Sequence, residues 1–318
     1  MAHKVVYIAC LSFSGSTLLS FALTNHSRMF TVGHTVGFPF PDHEDFFCSC
    51  GQRLQECAFF SQMKTTFEAK GLPFAYNEFG TNYRAVDNER LNWWLTFSLP
   101  RVQSNFLEHT RDAALNALPP FKGRLAAQDA ANALFIDTAL AFSKADVYVD
   151  NSHSPYRWRR LRRIPSLDLF PVQLYRDFRG VTLSHMRNKS MGAEESVRKW
   201  IDSHLNVIRV FSEAEDYTQI YYEDFCADPE NGLGPLFRKL GLTWEPLPDD
   251  LSQTEHHILG NSMRESGIRI KLDTKWVKGF TLEQRNLVEG VAQDFVRKDK
   301  NHPLSQVITY YLDTFRAD

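Results

Sequence analysis

The segment Val5–Leu23, VVYIACLSFSGSTLLSFAL, decides the architecture. Val5 to Cys10 is apolar throughout, as in a strand of a parallel sheet that is buried on both faces. Ser12, Ser14, Gly15, Ser16 and Thr17 follow as small residues, and Leu18–Leu23 opens a mostly apolar helix. A strand, a tight turn and a helix N-terminus make an anion cradle. Backbone N–H groups without intrahelical partners point into the turn, the helix dipole favours negative charge, and hydroxyls add donors. An ordinary βα turn also uses Gly and Ser, so the rest of the chain must decide whether a phosphate belongs here.

Outward from that segment, strands recur with helical stretches between them. Met29–Val32 is a short extended run leading to Gly33 and His34. The Ala/Leu-rich stretch 124–143 predicts a strong helix, and Val147–Asp150, VYVD, a second strand. That strand delivers Asp150, Asn151, Ser152, His153 and Ser154 at its carboxyl end, where doubly wound sheets bind ligands. Phe170–Tyr175 is a third strand ending at Arg176, and Gln219–Tyr222 a fourth. Helices are expected over residues 86–117, 180–187, 194–212, 233–240 and 282–297. Alternation of this kind predicts a three-layer α/β fold with a mostly parallel central sheet flanked by helices. The chain reads as one domain over residues 1–318, with a Cys-containing and helical insertion at about 35–125.

Composition excludes several classes. The chain has 318 residues, 43% of them hydrophobic, with 38 acidic against 36 basic side chains and a net charge of -2. This balance asks for neither nucleic acid nor a charged membrane surface. No leader pattern and no membrane-length apolar run is present, so a cytoplasmic protein is expected, its oligomeric state open. The 25 phenylalanines imply aromatic packing in the core or a substrate cleft. Five arginines lie within seven residues, Arg157, Arg159, Arg160, Arg162 and Arg163. They spread round a helix instead of lining one face, which predicts that most are solvated.

Five cysteines are too few and too unevenly spaced for a disulfide framework. Cys48, Cys50 and Cys57, in a C-x-C-G pattern with His43 nearby, can supply three zinc ligands. Spacing fixes no fourth ligand, and a disulfide or free thiols are the alternatives. No metal is expected in the reaction itself.

Two motifs carry a resemblance. G-x-x-x-x-G-K-S/T and G-x-G-x-x-G are both absent, which removes the common triphosphatase and dinucleotide loops. Ser14–Leu19, SGSTLL, instead resembles the phosphosulfate loop of sulfotransferases that use 3'-phosphoadenosine 5'-phosphosulfate (PAPS), in its bacterial-type branch. Tyr175–Arg187, YRDFRGVTLSHMR, resembles the second element of that family, R-D-x-R-G-V-x-x-S-x-x-R. Both stand in family order, each at a strand end. Tyr222–Glu230, YEDFCADPE, resembles a turn of the same family, read as mainly structural. Asp150–Pro155, DNSHSP, resembles a D-S-S-K-S-P segment. His257–Arg264, HILGNSMR, resembles a late G-N-x-x-R segment, and the cysteine cluster is similar to one in that branch.

The resemblance implies a P-loop-like sulfotransferase fold and transfer of a sulfuryl group from PAPS to a hydroxyl. The product would be 3',5'-adenosine bisphosphate, and the acceptor a small molecule, sugar or lipid. It implies that Ser14, Gly15, Ser16, Thr17 and Leu18 clamp the 5'-phosphosulfate. Arg176 and Ser184 would hold the 3'-phosphate, Arg264 would approach the nucleotide, and Arg179 would be a surface or supporting group. Two departures stand out: Phe13 replaces the basic residue before the loop, and His153 replaces the lysine of D-S-S-K. Lys4, Arg157 or a protonated His153 could supply the missing charge. His34 follows Gly33 where relatives often carry a glutamate, so it is the preferred base, with His153 its rival. Phe38, Phe40, Phe46, Phe47, Trp93, Trp94 and Phe97 can line an acceptor cleft or belong to the core. A non-catalytic bisphosphate-binding protein and a small-molecule kinase are the alternatives, the second lacking its loop lysine.

Overall fold

A computed structural model describes residues 2–36, 46–97, 104–252, 256 and 268–314. At its centre lies β1 (His3–Ala9), whose residues Val5 to Ala9 have no solvent exposure. It pairs in parallel with β3 (Val147–Asp150) on one side and β4 (Leu167–Tyr175) on the other. The short β2 (Met29–Phe30) and β5 (Thr218–Tyr221) close the edges, giving the parallel order β2-β3-β1-β4-β5. The extended run at Met29 is thus a fifth strand.

Alternation along β1 sends side chains to two faces. Val5, Tyr7 and Ala9 join Phe59, Phe60, Phe135, Trp158 and Phe211 in one core. Val6, Ile8 and Cys10 join Leu18, Leu19, Phe21, Leu233 and Leu236 in the other. This two-sided demand is why the strand is continuously apolar, and it makes the three layers.

On the second face α1 (Ser16–Thr24) follows β1 directly. Between β2 and β3 come α2 (Ala58–Ala69), α3 (Glu89–Thr96), α4 (Asn105–Ala117) and α5 (Pro119–Ser143). Pro119 and Pro120 begin α5 instead of breaking the chain before it, because proline at a first helical position loses no intrahelical bond. After β3 comes α6 (Pro155–Leu161), capped by Ser154, which accepts from the Arg157 N–H. Beyond β4 lie α7 (Phe178–Lys189) and α8 (Ala193–Phe211), and beyond β5 lie α9 (Tyr222–Ala227) and α10 (Pro229–Leu240). A 3-10 turn (Lys275–Lys278), α11 (Leu282–Lys298) and α12 (Pro303–Thr314) complete the described chain. The sequence expectation stops short of α12, although Leu304, Val307, Ile308 and Tyr311 carry helical spacing and are buried.

The chain moves to one side of β1 for β2 and β3, then crosses to the other side for β4 and β5. The carboxyl end of β1 is therefore the switch point, the place where open parallel sheets form ligand crevices. No described helix is long and apolar enough to cross a membrane.

Candidate nucleotide site

The loop from Cys10 to Gly15 leaves β1 at that switch point. Two of its residues have left-handed backbones, Phe13 (φ 67°) and Gly15 (φ 88°). Gly15 is the N-cap of α1 and has no side chain to occupy the first-turn N–H groups. A Cβ on it would lie 2.5 Å from the Tyr222 ring, so this position requires glycine both for its φ and for its space. Ser14 is fully buried, and its Oγ has no hydrogen-bond partner among the described residues. A buried hydroxyl of this kind costs free energy unless something arrives to bond it. Leu18, by contrast, sends its side chain into the core, so only its backbone is available to a ligand.

β3 brings a second set of polar groups to the loop. His153 Nε2 lies 2.9 Å from Ser16 Oγ and 2.9 Å from Asn151 Oδ1, while Asn151 Nδ2 is buried without a partner among the described residues. His153 holds a left-handed φ of 65°, and its N–H donates to Ile8 O of β1. Burial pushes its pKa down to about 3, with His34 nearby adding to the shift, so the ring is neutral near pH 7. His34 packs edge-on against His153 with ring centroids 4.8 Å apart. Burial also lowers the His34 pKa; Asp150 opposes that shift and Arg157 reinforces it. The structure thus brings both histidines to the loop.

β4 delivers Arg176 to the same place. Its Nη1 donates to Phe13 O at 2.7 Å, its Nη2 pairs with Asp273 at 3.0 Å, and its guanidinium lies 4.8 Å over the Tyr222 ring. Gly180 on α7 sits beneath it, where a Cβ would be 3.4 Å from Arg176 Nε. Ser184, one turn further on, is half-buried and donates to Gly180 O at 2.9 Å. Of the two alternatives expected for Arg179, a surface or a supporting group, its burial removes the first. It is fully buried, paired with Asp177 and Glu289, and stacked 4.1 Å from Trp276. Asp177 N–H and the Tyr311 hydroxyl both donate to Glu223, whose pKa burial raises to about 7 with Asp177 adding to the shift. This buried network ties β4, α7, α9 and α12 together, and it gives the YED turn its structural role.

The arginine cluster on α6 corrects the expectation of solvation. Arg157, Arg159 and Arg160 are all buried and paired, with Asp150, with Glu108 and Glu213, and with Asp129. Lys4 donates to Leu240 O. Neither Lys4 nor Arg157 is directed at the loop, whereas Arg176 touches its backbone.

Several contributors escape a linear reading. His185 bonds Ser12 Oγ at 2.9 Å and packs edge-on against Phe13 at 5.2 Å, and burial holds its pKa down to about 4. Its adjacency to Ser184 was the available signal. Tyr222 floors Gly15, and Asp273 pairs with Arg176; only the fold links these positions. Beside the His153 segment a cavity of about 350 Å³ is lined by residues that include Ser152, Ser154, Tyr83, Tyr156, Trp93 and Phe97. Trp93 and Trp94 are 42% and 56% exposed, which takes them out of the core. Phe38, Phe40 and Arg264 lie outside the described residues.

No protein-family model matches the chain, and no curated protein sequence does. Among solved structures, the sulfotransferase domain of the Synechococcus PCC 7002 olefin synthase shares 18% identity, over 92% of this chain and 95% of that one, at a TM-score of 0.45. The sulfotransferase domain from the curacin biosynthetic pathway shares 16%, over 99% and 97%, at 0.43. The sulfotransferase STF1 of Mycobacterium tuberculosis shares 15%, over 93% and 77%, at 0.41. Likeness at that level carries no kinship by itself, and the case for function rests on the residues of this chain.

Proposed function

We propose that this protein is a PAPS-dependent sulfotransferase acting on a hydroxyl of a small molecule, sugar or lipid. One observation carries the reading: a loop with an unpartnered buried hydroxyl, Ser14, is joined through Phe13 O to an arginine at the next strand end, Arg176. A ligand with two separated anionic groups fits that pairing, one group at the helix N-terminus and one at the guanidinium. Gly15 lets the ligand approach the backbone, Ser14 Oγ and Asn151 Nδ2 offer unused polar atoms, and Arg176 with Ser184 would hold the 3'-phosphate. Asp273 now occupies Arg176 and would give way to that phosphate. Arg264, by resemblance, would approach the nucleotide as well.

His34 is the proposed base. It is neutral near pH 7, so it can accept a proton. His153 is less suited to that task, because burial holds its pKa down to about 3 and its Nε2 already lies 2.9 Å from both Ser16 Oγ and Asn151 Oδ1. It would stand as a neutral hydrogen-bonding partner of Ser16, in the position where the family carries a lysine. The acceptor oxygen attacks sulfur, and the bond from sulfur to the bridging oxygen of the 5'-phosphate breaks. That oxygen leaves with the bisphosphate while the acceptor proton passes to His34. The cavity lined by Trp93, Phe97 and Tyr83 adjoins the His153 segment and is the proposed acceptor cleft.

The test compares binding of adenosine 3',5'-bisphosphate with binding of adenosine 5'-phosphate, then assays PAPS consumption across a panel of hydroxyl acceptors. The bisphosphate is expected to bind about tenfold or more tightly, given the worth of charge-assisted hydrogen bonds. His34→Ala should lower turnover by about 10²–10⁴ while sparing bisphosphate affinity. Equal affinity for the two nucleotides would overturn the reading. Preference for the bisphosphate with no turnover on any acceptor would favour a non-catalytic binder, the reading that Phe13 in place of a cation supports.

A further inference from the structure

We infer that Cys48, Cys50, Cys57 and His256 form a structural zinc site. The four ligand atoms, three Sγ and one imidazole nitrogen, all lie within 4.8 Å of one another. His256 Nδ1 is 3.6 Å from Cys48 Sγ and 3.2 Å from Cys57 Sγ, and Cys50 Sγ is 3.8 Å from Cys57 Sγ. A tetrahedral ion with Zn–S of about 2.3 Å and Zn–N of about 2.0 Å spaces its ligands about 3.8 Å apart for sulfur pairs and about 3.5 Å for sulfur and nitrogen. The three measured spacings, 3.6, 3.2 and 3.8 Å, lie close to those values, and the other pairs stay within 4.8 Å.

Local folding explains the arrangement. Phe47 and Arg53 form an antiparallel bridge, and the turn between them is closed by Gly51 N–H donating to Cys48 O and Cys48 N–H donating to Gln52 O. Gly51, at φ +83°, permits the tight return that brings Cys50 within 3.8 Å of Cys57 while Cys48 turns inward. Cys57 is the N-cap of α2, which fixes the third sulfur. The fourth ligand comes from a position 199 residues beyond Cys57, and for that reason spacing in the sequence could not supply it. The His256 ring is held by Phe59, stacked at 5.4 Å, and by Phe142, edge-on at 5.3 Å. Cys48 and Cys57 are buried, so their sulfurs are removed from bulk solvent.

Donor chemistry selects the metal class. Thiolates with one imidazole at tetrahedral spacing suit zinc over the hard, oxygen-seeking cations. Four protein ligands leave no open position, which is the pattern of a structural ion. Bound there, zinc ties residue 256 to the turn at residues 47–53, to α2 and, through the Phe30 ring 6.5 Å from His256, to β2. Binding releases the thiol protons, which makes it pH-dependent, and it is linked to folding because Cys57 and His256 meet only in the folded chain.

The full-length protein, purified anaerobically from zinc-supplemented medium, should contain about one zinc per chain by elemental analysis. X-ray absorption should give a first shell of three sulfurs and one nitrogen, and cobalt substitution should give the intense visible bands of tetrahedral thiolate coordination. Stripping with a chelator should lower the melting temperature, and zinc alone should restore it. Cys50→Ser, at the exposed ligand, should keep the fold while weakening zinc retention, and His256→Ala should change the cobalt spectrum. Zinc-free protein from that preparation, a shell of any other composition, or a disulfide among the three cysteines overturns the inference.

Discussion

Two regions of this molecule look like anion sites in the sequence, and they are opposites in the structure. Helix α6 carries three arginines that are all buried and all paired with carboxylates, with only Arg160 Nε left without a partner among the described residues. Arg157 meets Asp150, Asn132 and the Thr81 carbonyl; Arg159 meets Glu108 and Glu213; Arg160 meets Asp129 and Asn116. The loop after β1 has no cationic side chain of its own, yet it holds a buried hydroxyl with no partner among the described residues and a helix N-terminus without a side-chain cap. What recognises a ligand is unused bonding capacity, and charge density alone does not measure that. Buried arginines that face their own carboxylates tie the packed elements together, and their charge is already neutralised within the fold.

The comparison can be broken most directly at Arg159. Arg159→Ala should destabilise the fold by about 3 kcal/mol in chemical denaturation, the low end for breaking a buried pair because Arg209 still reaches Glu108. Bisphosphate affinity of the folded fraction should not change; a parallel loss of affinity would place α6 in the site. Arg176→Ala should do the reverse, weakening adenosine 3',5'-bisphosphate by about 1.5–3 kcal/mol in titration calorimetry while adenosine 5'-phosphate is little affected.

Gly15→Ala sharpens the contrast inside the site. Its left-handed φ and the Tyr222 ring should cost about 1–3 kcal/mol, seen as weaker binding of both nucleotides, because the cradle itself is displaced. A loss confined to the bisphosphate would contradict the assignment of the loop to the 5' end. Ser184→Ala should show the smallest effect, about 0.5–1.5 kcal/mol and only on the bisphosphate.

A pH series adds a check on the neutral histidines. Burial holds His153 and His204 at pKa values of about 3, and holds His185 at about 4, below the ordinary 6.5. Between those limits the unfolded chain binds more protons than the folded one, so their stability contribution is complete above pH 6.5 and is lost as pH falls. Glu223, raised to about 7, works with the opposite sign between pH 4.5 and 7. His34, also lowered by burial, adds to the histidines, while Asp112, Asp129 and Asp177, raised by burial, add to Glu223. The depth of the histidine shifts predicts a melting temperature that falls on acidification from pH 6.5 to 4. A flat or rising profile would show these histidines to be solvated.

Much of the fold was legible because its signals are local. The apolar run Val5–Cys10, the small-residue turn and the recurring strand ends require only neighbours in sequence, and they define a parallel α/β sheet. The helix expected over 124–143 begins earlier, at Pro119, because proline is tolerated at a first helical position. The α6 arginines misled more seriously. Their spacing spreads them round the helix, but α4, α5 and the end of α8 pack about it and supply Asn105, Glu108, Asn116, Asp129 and Glu213 as partners.

By itself the sequence determined the layer architecture, the glycine turn after β1, and the two strand ends that carry Ser14–Thr17 and Arg176. Those features depend on periodicity and on residue types within a few positions of each other. Only the tertiary structure decided that Phe13 O and Arg176 touch, that Tyr222 makes Gly15 indispensable, that His34 meets His153, and that His256 reaches Cys57. Each of these joins residues distant along the chain. Whether a polar group is satisfied or left over depends on which distant partner the packed sheet and its helices bring to it.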